Sequence, residues 1–139
     1  MLASQPGTFK AVIAHDSIVI SMINANTDLQ RYLFLFIGRN DSRMLFGVHR
    51  MATNFNVQRV FTAHQVFTCL TTALHTFVFI KPEATLYDGA GDMITPIDSA
   101  LLEISYESTV VLYSPTPDRA FRALIRDATG CISCQFLKN

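Results

Sequence analysis

The chain has 139 residues, of which 50% are hydrophobic and 16% charged, and its mean hydropathy is +0.28. That much apolar material excludes a disordered chain, and the length fits a single domain spanning residues 1–139. Eleven basic residues balance eleven acidic ones, so net charge draws the chain neither to nucleic acid nor to acidic lipid.

Residues 1–7 lack the basic and apolar regions of a signal peptide. Residues 9–14 are apolar and β-branched and predict a strand. Residues 18–23 fit either a strand or a short helix starting at Asp16, because so short an apolar run does not settle the period. The run at residues 33–37 is far short of the roughly 20 residues that span a bilayer. Together with residues 44–48 it flanks Gly38-Arg39-Asn40-Asp41-Ser42, a group of turn formers, and the pattern predicts a β-hairpin. The first arm is apolar on both parities, so it needs cover on both sides from helices, a second sheet or another subunit. Residues 57–61 add a further strand.

Thr62-Ala63-His64-Gln65 is a capping box opening a helix over about 62–75, with Val66, Phe67, Leu70, Ala73 and Leu74 on its apolar stripe. Thr116-Pro117-Asp118 opens a second helix over about 117–128, with Thr116 as cap and Pro117 where no N–H is missed. Phe121, Leu124 and Ile125 face its core side, and Arg119, Arg122 and Arg126 the other. Residues 76–81, 85–88, 101–106, 109–113 and 131–137 read as strands. The expected class is α+β, a mostly antiparallel sheet of eight to ten strands with two amphipathic helices.

The chemical motifs are sparse. Cys131-Ile132-Ser133-Cys134 is a C-x-x-C, but it follows a helix-ending glycine in an apparent strand, where positions three apart face opposite ways. His64, Cys69 and His75 share a helix, yet the two histidines stand about 16 Å apart along its axis and cannot share an ion. Asp88-Gly89-Ala90-Gly91-Asp92 has two carboxylates but lacks the other ligands of a calcium loop, so it reads as a turn. His15 and Asp16 suggest acid–base work, with no nucleophile assignable. Phosphate-binding, nucleophile-elbow and zinc-helix signatures are absent from the sequence, and nothing in it asks for a cofactor or a metal.

Charge is unevenly distributed. Arg31, Arg39, Arg43, Arg50 and Arg59 face only Asp41 between residues 31 and 64, five minus one, or +4. Residues 83–107 carry Glu83, Asp88, Asp92, Asp98, Glu103 and Glu107 with no Lys or Arg, a net of −6. Either the two blocks neutralise each other across neighbouring strands, or they are basic and acidic surfaces for partners. Arg outnumbers Lys eight to three, which suits bidentate pairing at interfaces.

Low charge and the two-sided ribbon together predict a non-enzymatic interaction module, a subunit of a homo-oligomer or of a larger complex. Its interface or anion-binding candidates are Arg31, Arg39, Arg43, Arg50, Arg59, Arg119, Arg122 and Arg126. The acidic partner surface is Asp88, Asp92, Asp98, Glu103 and Glu107. The order of predicted elements also resembles a unit of the DNA sliding-clamp family, which implies DNA-facing basic helices carrying Arg119, Arg122 and Arg126. A third reading is a small thiol- or metal-dependent enzyme using Cys131 and Cys134. Three cysteines, an odd number, and the opening residues point to a reducing compartment, cytoplasm or nucleus.

Overall fold

The computed structural model describes residues 8–25, 34–39, 55–72 and 77–133. Among these residues six strands form one sheet: β1 (Thr8–Ile13), β2 (Phe34–Arg39), β3 (Phe55–Val60), β4 (Phe77–Ile80), β5 (Thr109–Ser114) and β6 (Gly130–Ser133). They lie in the order β3-β2-β4-β5-β1-β6, and every neighbouring pair is parallel. The helices are α1 (Asp16–Ala25), α2 (Ala63–Thr72), α3 (Ile94–Ser105) and α4 (Arg119–Leu124).

Connection direction fixes which face each helix covers. The steps β1→β2 and β2→β3 run toward one edge of the sheet, and β3→β4, β4→β5 and β5→β6 toward the other. Parallel crossovers are right-handed, so the two directions lie on opposite faces. One face accordingly packs Leu35, Ile37, Val78, Ile80, Val110 and Leu112 against α2, α3 and α4, through Val66, Leu70, Ile97, Leu101, Phe121 and Leu124. The other packs Phe36, Phe77, Phe79, Val111 and Tyr113 against Val19 and Ile23 of α1. There the rings of Phe36 and Phe79 stack at 5.8 Å, and Phe79 meets Tyr113 at 5.1 Å.

This architecture corrects the expected mostly antiparallel α+β sheet: the fold is α/β. The first arm of the anticipated hairpin is β2, an interior strand parallel to both β3 and β4; the second arm lies outside the described residues. A strand buried on both faces is apolar at every position because parallel sheets are roofed twice. Residues 33–37 thus signal parallel pairing rather than a ribbon awaiting a partner.

Two anticipated strands are helical. Residues 85–88 fall in a 3-10 turn, Ala84–Tyr87, and residues 101–106 fall largely in α3. The true period of α3 is Ile94, Ile97, Leu101, Ile104, at helical spacing, but its N-cap Met93 makes no side-chain cap bond and so leaves no start signal. The element order behind the clamp resemblance changes accordingly. Residues 18–23 resolve as helix within α1.

The caps are mostly as the sequence indicates. Gln65 N–H donates to the Thr62 hydroxyl at 3.1 Å, and the Gln65 side-chain carbonyl accepts from Thr62 N–H at 3.2 Å. In α4 the cap is Asp118 rather than Thr116: its carboxylate accepts from Phe121 N–H at 2.9 Å. Gly38 matters sterically, since a Cβ there would stand 2.7 Å from the Phe36 ring.

Phe79→Ala removes the ring at the centre of the aromatic layer. It is expected to lower the unfolding free energy by about 3–5 kcal/mol, read as a reduced urea midpoint at unchanged slope. Gly38→Ala is expected to cost about 1–3 kcal/mol, because the Phe36 ring must leave its rotamer well.

Candidate functional site

In an all-parallel sheet every strand ends on the same edge. The crevice that takes ligands opens where adjacent strands send their connections to opposite faces. β1 and β5 are such a pair: β1 leads to α1 on one face and β5 to α4 on the other. The polar residues at this edge are those that follow the apolar strands, His15 and Asp16 after β1, Lys81 and Glu83 after β4, and Tyr113 and Ser114 at the end of β5.

Local sequence sets each one. Lys81 N–H still bonds the Ile37 carbonyl at 3.1 Å, but Pro82 has no N–H to extend the ladder, so β4 stops and the chain turns away. Ala14 N–H bonds the Ser114 carbonyl at 3.1 Å, locking the ends of β1 and β5 together. The His15 carbonyl then accepts from Ile18 and Val19, starting α1 with Asp16 in its first turn, where the helix dipole favours an acid. Ser114 donates its hydroxyl to the Thr116 carbonyl at 2.7 Å and accepts from Thr116 N–H at 3.2 Å, fixing the approach to α4.

These residues converge. The Lys81 ammonium lies 3.2 Å from Asp16 Oδ2 and 3.7 Å from Glu83 Oε2. The Tyr113 hydroxyl donates to Asp16 Oδ1 at 3.0 Å, and the ammonium stands 5.9 Å from the Tyr113 ring centroid. Lys81 is only 12% exposed and the Asp16 side chain 37%, so the cation is submerged and the carboxylates form the rim. Burial, reinforced by the charge of Asp16 and its hydrogen bond and by Glu83, pushes the Tyr113 phenol far above its ordinary range. It stays protonated as a donor. Two carboxylates and one ammonium leave a net charge of −1, and the carboxylate rim can receive hydroxyl or ammonium donors.

Of the residues singled out from sequence, His15, Asp16 and Glu83 lie at this edge, and the interface and acidic-surface candidates lie elsewhere. Arg31, Arg43 and Arg50 are outside the described residues. Arg39 ends β2, and Arg59 is exposed on β3. Arg119 and Arg122 are exposed on α4, and Arg126 follows it. Asp88, Asp92, Glu103 and Glu107 are exposed in turns and on or just after α3, while Asp98 on α3 is buried. The acidic stretch contains no strand, so it does not neutralise the basic block across a ladder. Among the described residues, its ion pair with a candidate arginine joins Asp98 to Arg126 at 3.7 Å.

Cys131 is exposed on β6, and Cys134 and His75 fall outside the described residues. Burial pushes the Cys69 thiol up, opposite to the shift that activates a nucleophile. His64 is exposed on α2. Among the described residues no group of three or more His, Cys, Asp or Glu side chains could hold a metal ion, and no helix is long and apolar enough to cross a membrane.

No known family profile matches the chain. Over 117 residues it is 32% identical to an uncharacterized protein of Archaeoglobus fulgidus, an alignment that covers 83% of this chain and 58% of the relative. The chain thus spans less than two-thirds of that relative's length.

Lys81→Met leaves both carboxylates without their cation. Because Asp16 and Glu83 reach solvent, the expected loss is about 1–2 kcal/mol, below the 3–5 kcal/mol of a fully buried pair. Tyr113→Phe removes one hydrogen bond and is expected to cost about 1 kcal/mol. Guanidinium titrations of both variants check these values.

Proposed function

We propose that the chain is a binding domain for a small, donor-rich polar molecule seated across the C-terminal edge of the sheet between β1 and β5. The observation carrying this reading is the convergence of Asp16, Lys81, Glu83 and Tyr113 at the point where the sheet's connections change face. Binding rather than catalysis fits the groups present. Lys81 is engaged by two carboxylates and Tyr113 holds its proton, so neither serves as a free base. Hydroxyl or ammonium groups of a polyol, sugar or amine complement the half-exposed carboxylate rim.

Backbone amide NMR with a panel of ribonucleosides, sugar phosphates and polyamines at about 1 mM tests this, a concentration suited to weak specific binding. Shifts confined to residues 14–18, 81–83 and 113–118, weakened at least tenfold by Glu83→Gln, which removes a rim carboxylate, are the expected result. Shifts elsewhere, or none with any compound, would remove the reading.

The second reading is the assembly module, in which the chain pairs with a second copy or another protein. It is favoured by the outer face of α2. No residue of Ala63–Thr72 carries a carboxylate, Lys or Arg. Thr68, Thr71 and Thr72 turn their hydroxyls back onto carbonyls of their own helix, which leaves their methyl groups outward. Phe61, at the head of the helix, is 63% exposed. An uncharged face of this kind suits a protein contact better than bulk water. Light scattering at micromolar concentration is expected to give a multiple of 15.5 kDa, reduced to that mass by Thr68→Glu. A monomer at all concentrations, with no partner bound through α2, would count against it.

A further inference from the structure

On the face of the sheet that carries α2, α3 and α4, α3 packs against both other helices. α3 and α4 each follow the C-terminal end of a strand and lead back to the N-terminal end of the next, so they run side by side in one direction. Their outward lines differ in charge. From the turn before α3 to the turn after it, Asp92, Thr95, Ser99, Glu103, Tyr106 and Glu107 are exposed, and the stretch holds no Lys or Arg. On α4 the exposed line is Arg119, Arg122 and, just past the helix, Arg126, at the three- and four-residue spacing of one helical face. Asp127, exposed beside Arg126, is the acid on this basic strip.

The two strips do not neutralise each other. Among the described residues Asp92, Glu103, Glu107, Arg119 and Arg122 make no ion pair, and Arg126 reaches sideways to the buried Asp98 at 3.7 Å. That contact also sets the relative height of the helices. Arg119 lies seven residues before Arg126 and Asp92 six before Asp98, about 10 Å back along either helix. Arg119 and Asp92 therefore stand nearly level at one end of the face, with Arg126 and Glu103 toward the other.

We propose that the outer face of α3 and α4 docks a second copy of this chain, in a dimer whose two-fold axis runs between the two helices and parallel to them. That rotation lays the α3 of each copy on the α4 of the other and keeps heights unchanged. Asp92 then meets the partner's Arg119, and Glu103 the partner's Arg126, each contact being made twice. Tyr106, 67% exposed one turn beyond Glu103, brings an aromatic ring to the same guanidinium, and tyrosine and arginine are the usual anchors of protein contacts. An axis across the helices would set acid on acid and base on base, so charge selects between the two face-to-face arrangements. It also selects the occupant: a wholly acidic partner is repelled by α3 and a wholly basic one by α4, while a second copy satisfies both strips at once. Exposed ion pairs contribute little each, so the dimer is weak and strongly salt-dependent. The surface is separate from the β1–β5 edge and from the outer face of α2, and it stands independently of both readings above.

Sedimentation equilibrium of the full chain tests the proposal in about 50 mM and about 500 mM salt, which screens exposed charges within a few ångströms. The dimer dissociation constant is expected to rise at least tenfold between the two. Asp92→Arg and Arg119→Glu, both at exposed positions, are each expected to weaken self-association at least tenfold at the lower salt. Mixed in equal amounts, the two variants are expected to recover it, because the two reversed charges then face each other and the second contact keeps its natural pair. If either variant does not fold, Glu103→Lys is expected to weaken the association to the same degree. A monomer at low salt, a dimer that the charge reversals leave intact (as one built on α2 would be), or a mixture that stays monomeric would overturn the proposal.

Discussion

The constraint on which the rest of this structure depends is that a parallel sheet is covered on both faces. Each strand must be apolar at successive positions, and each connection must return over a face before the next strand can start. β4 and β5 meet the demand fully, since every residue from Phe77 to Ile80 and from Thr109 to Ser114 is buried. Among the described residues charge then sits mostly on helix exteriors, in turns and at strand ends, with Lys10 on β1, Arg59 on β3 and the buried Asp98 of α3 as exceptions. The low charged fraction, which from sequence alone suggests a surface in need of a partner, is largely consumed by this two-sided interior.

The same constraint places the chemistry. Once the faces are closed, the strand ends are where polar side chains can meet from different elements, and the parallel arrangement brings all C-terminal ends to one edge. Lys81 illustrates how tightly the strand pattern determines its surroundings. It continues the parity of Phe77 and Phe79, so its stem follows the aromatic layer and its ammonium emerges beside Tyr113 and the first turn of α1. A lysine one position earlier would point among the helices on the other face.

Much of the local structure was legible in the sequence. The Thr62–Gln65 box, a helix start at residues 116–118 (its cap two residues beyond the expected Thr116) and the strands at residues 9–14, 57–61, 76–81 and 109–113 follow from caps, period and β-branched content. Direction was not legible. A doubly apolar run such as residues 33–37 signals a doubly covered strand, but adjacency of sequential strands argues equally for a hairpin. α3 was hidden because its start has no capping side chain and its second half alternates like a strand. The site was hidden for a related reason. Asp16 stood out beside His15 and Glu83 within the acidic stretch, but Lys81 and Tyr113 carry no motif and the four become neighbours only when strand order is known, whereas the arginines stood out by count and are scattered by the fold.

The position of β1 has a consequence for how the molecule is made. The first strand of the sheet is flanked by β5 and β6, the last two, and its Phe9 is tied to Thr129 across 120 residues of chain. Even the nearer partner, β5, sets Val110 beside Phe9, 101 residues on; at ribosomal elongation rates that is roughly 5–20 s of synthesis, during which β1 has neither of its lateral partners. The nascent chain must carry an apolar ribbon without hydrogen-bonded neighbours until its far end emerges. Closure of the sheet around β1 is therefore a late event, for which β2, β3 and β4 can provide a platform but no substitute.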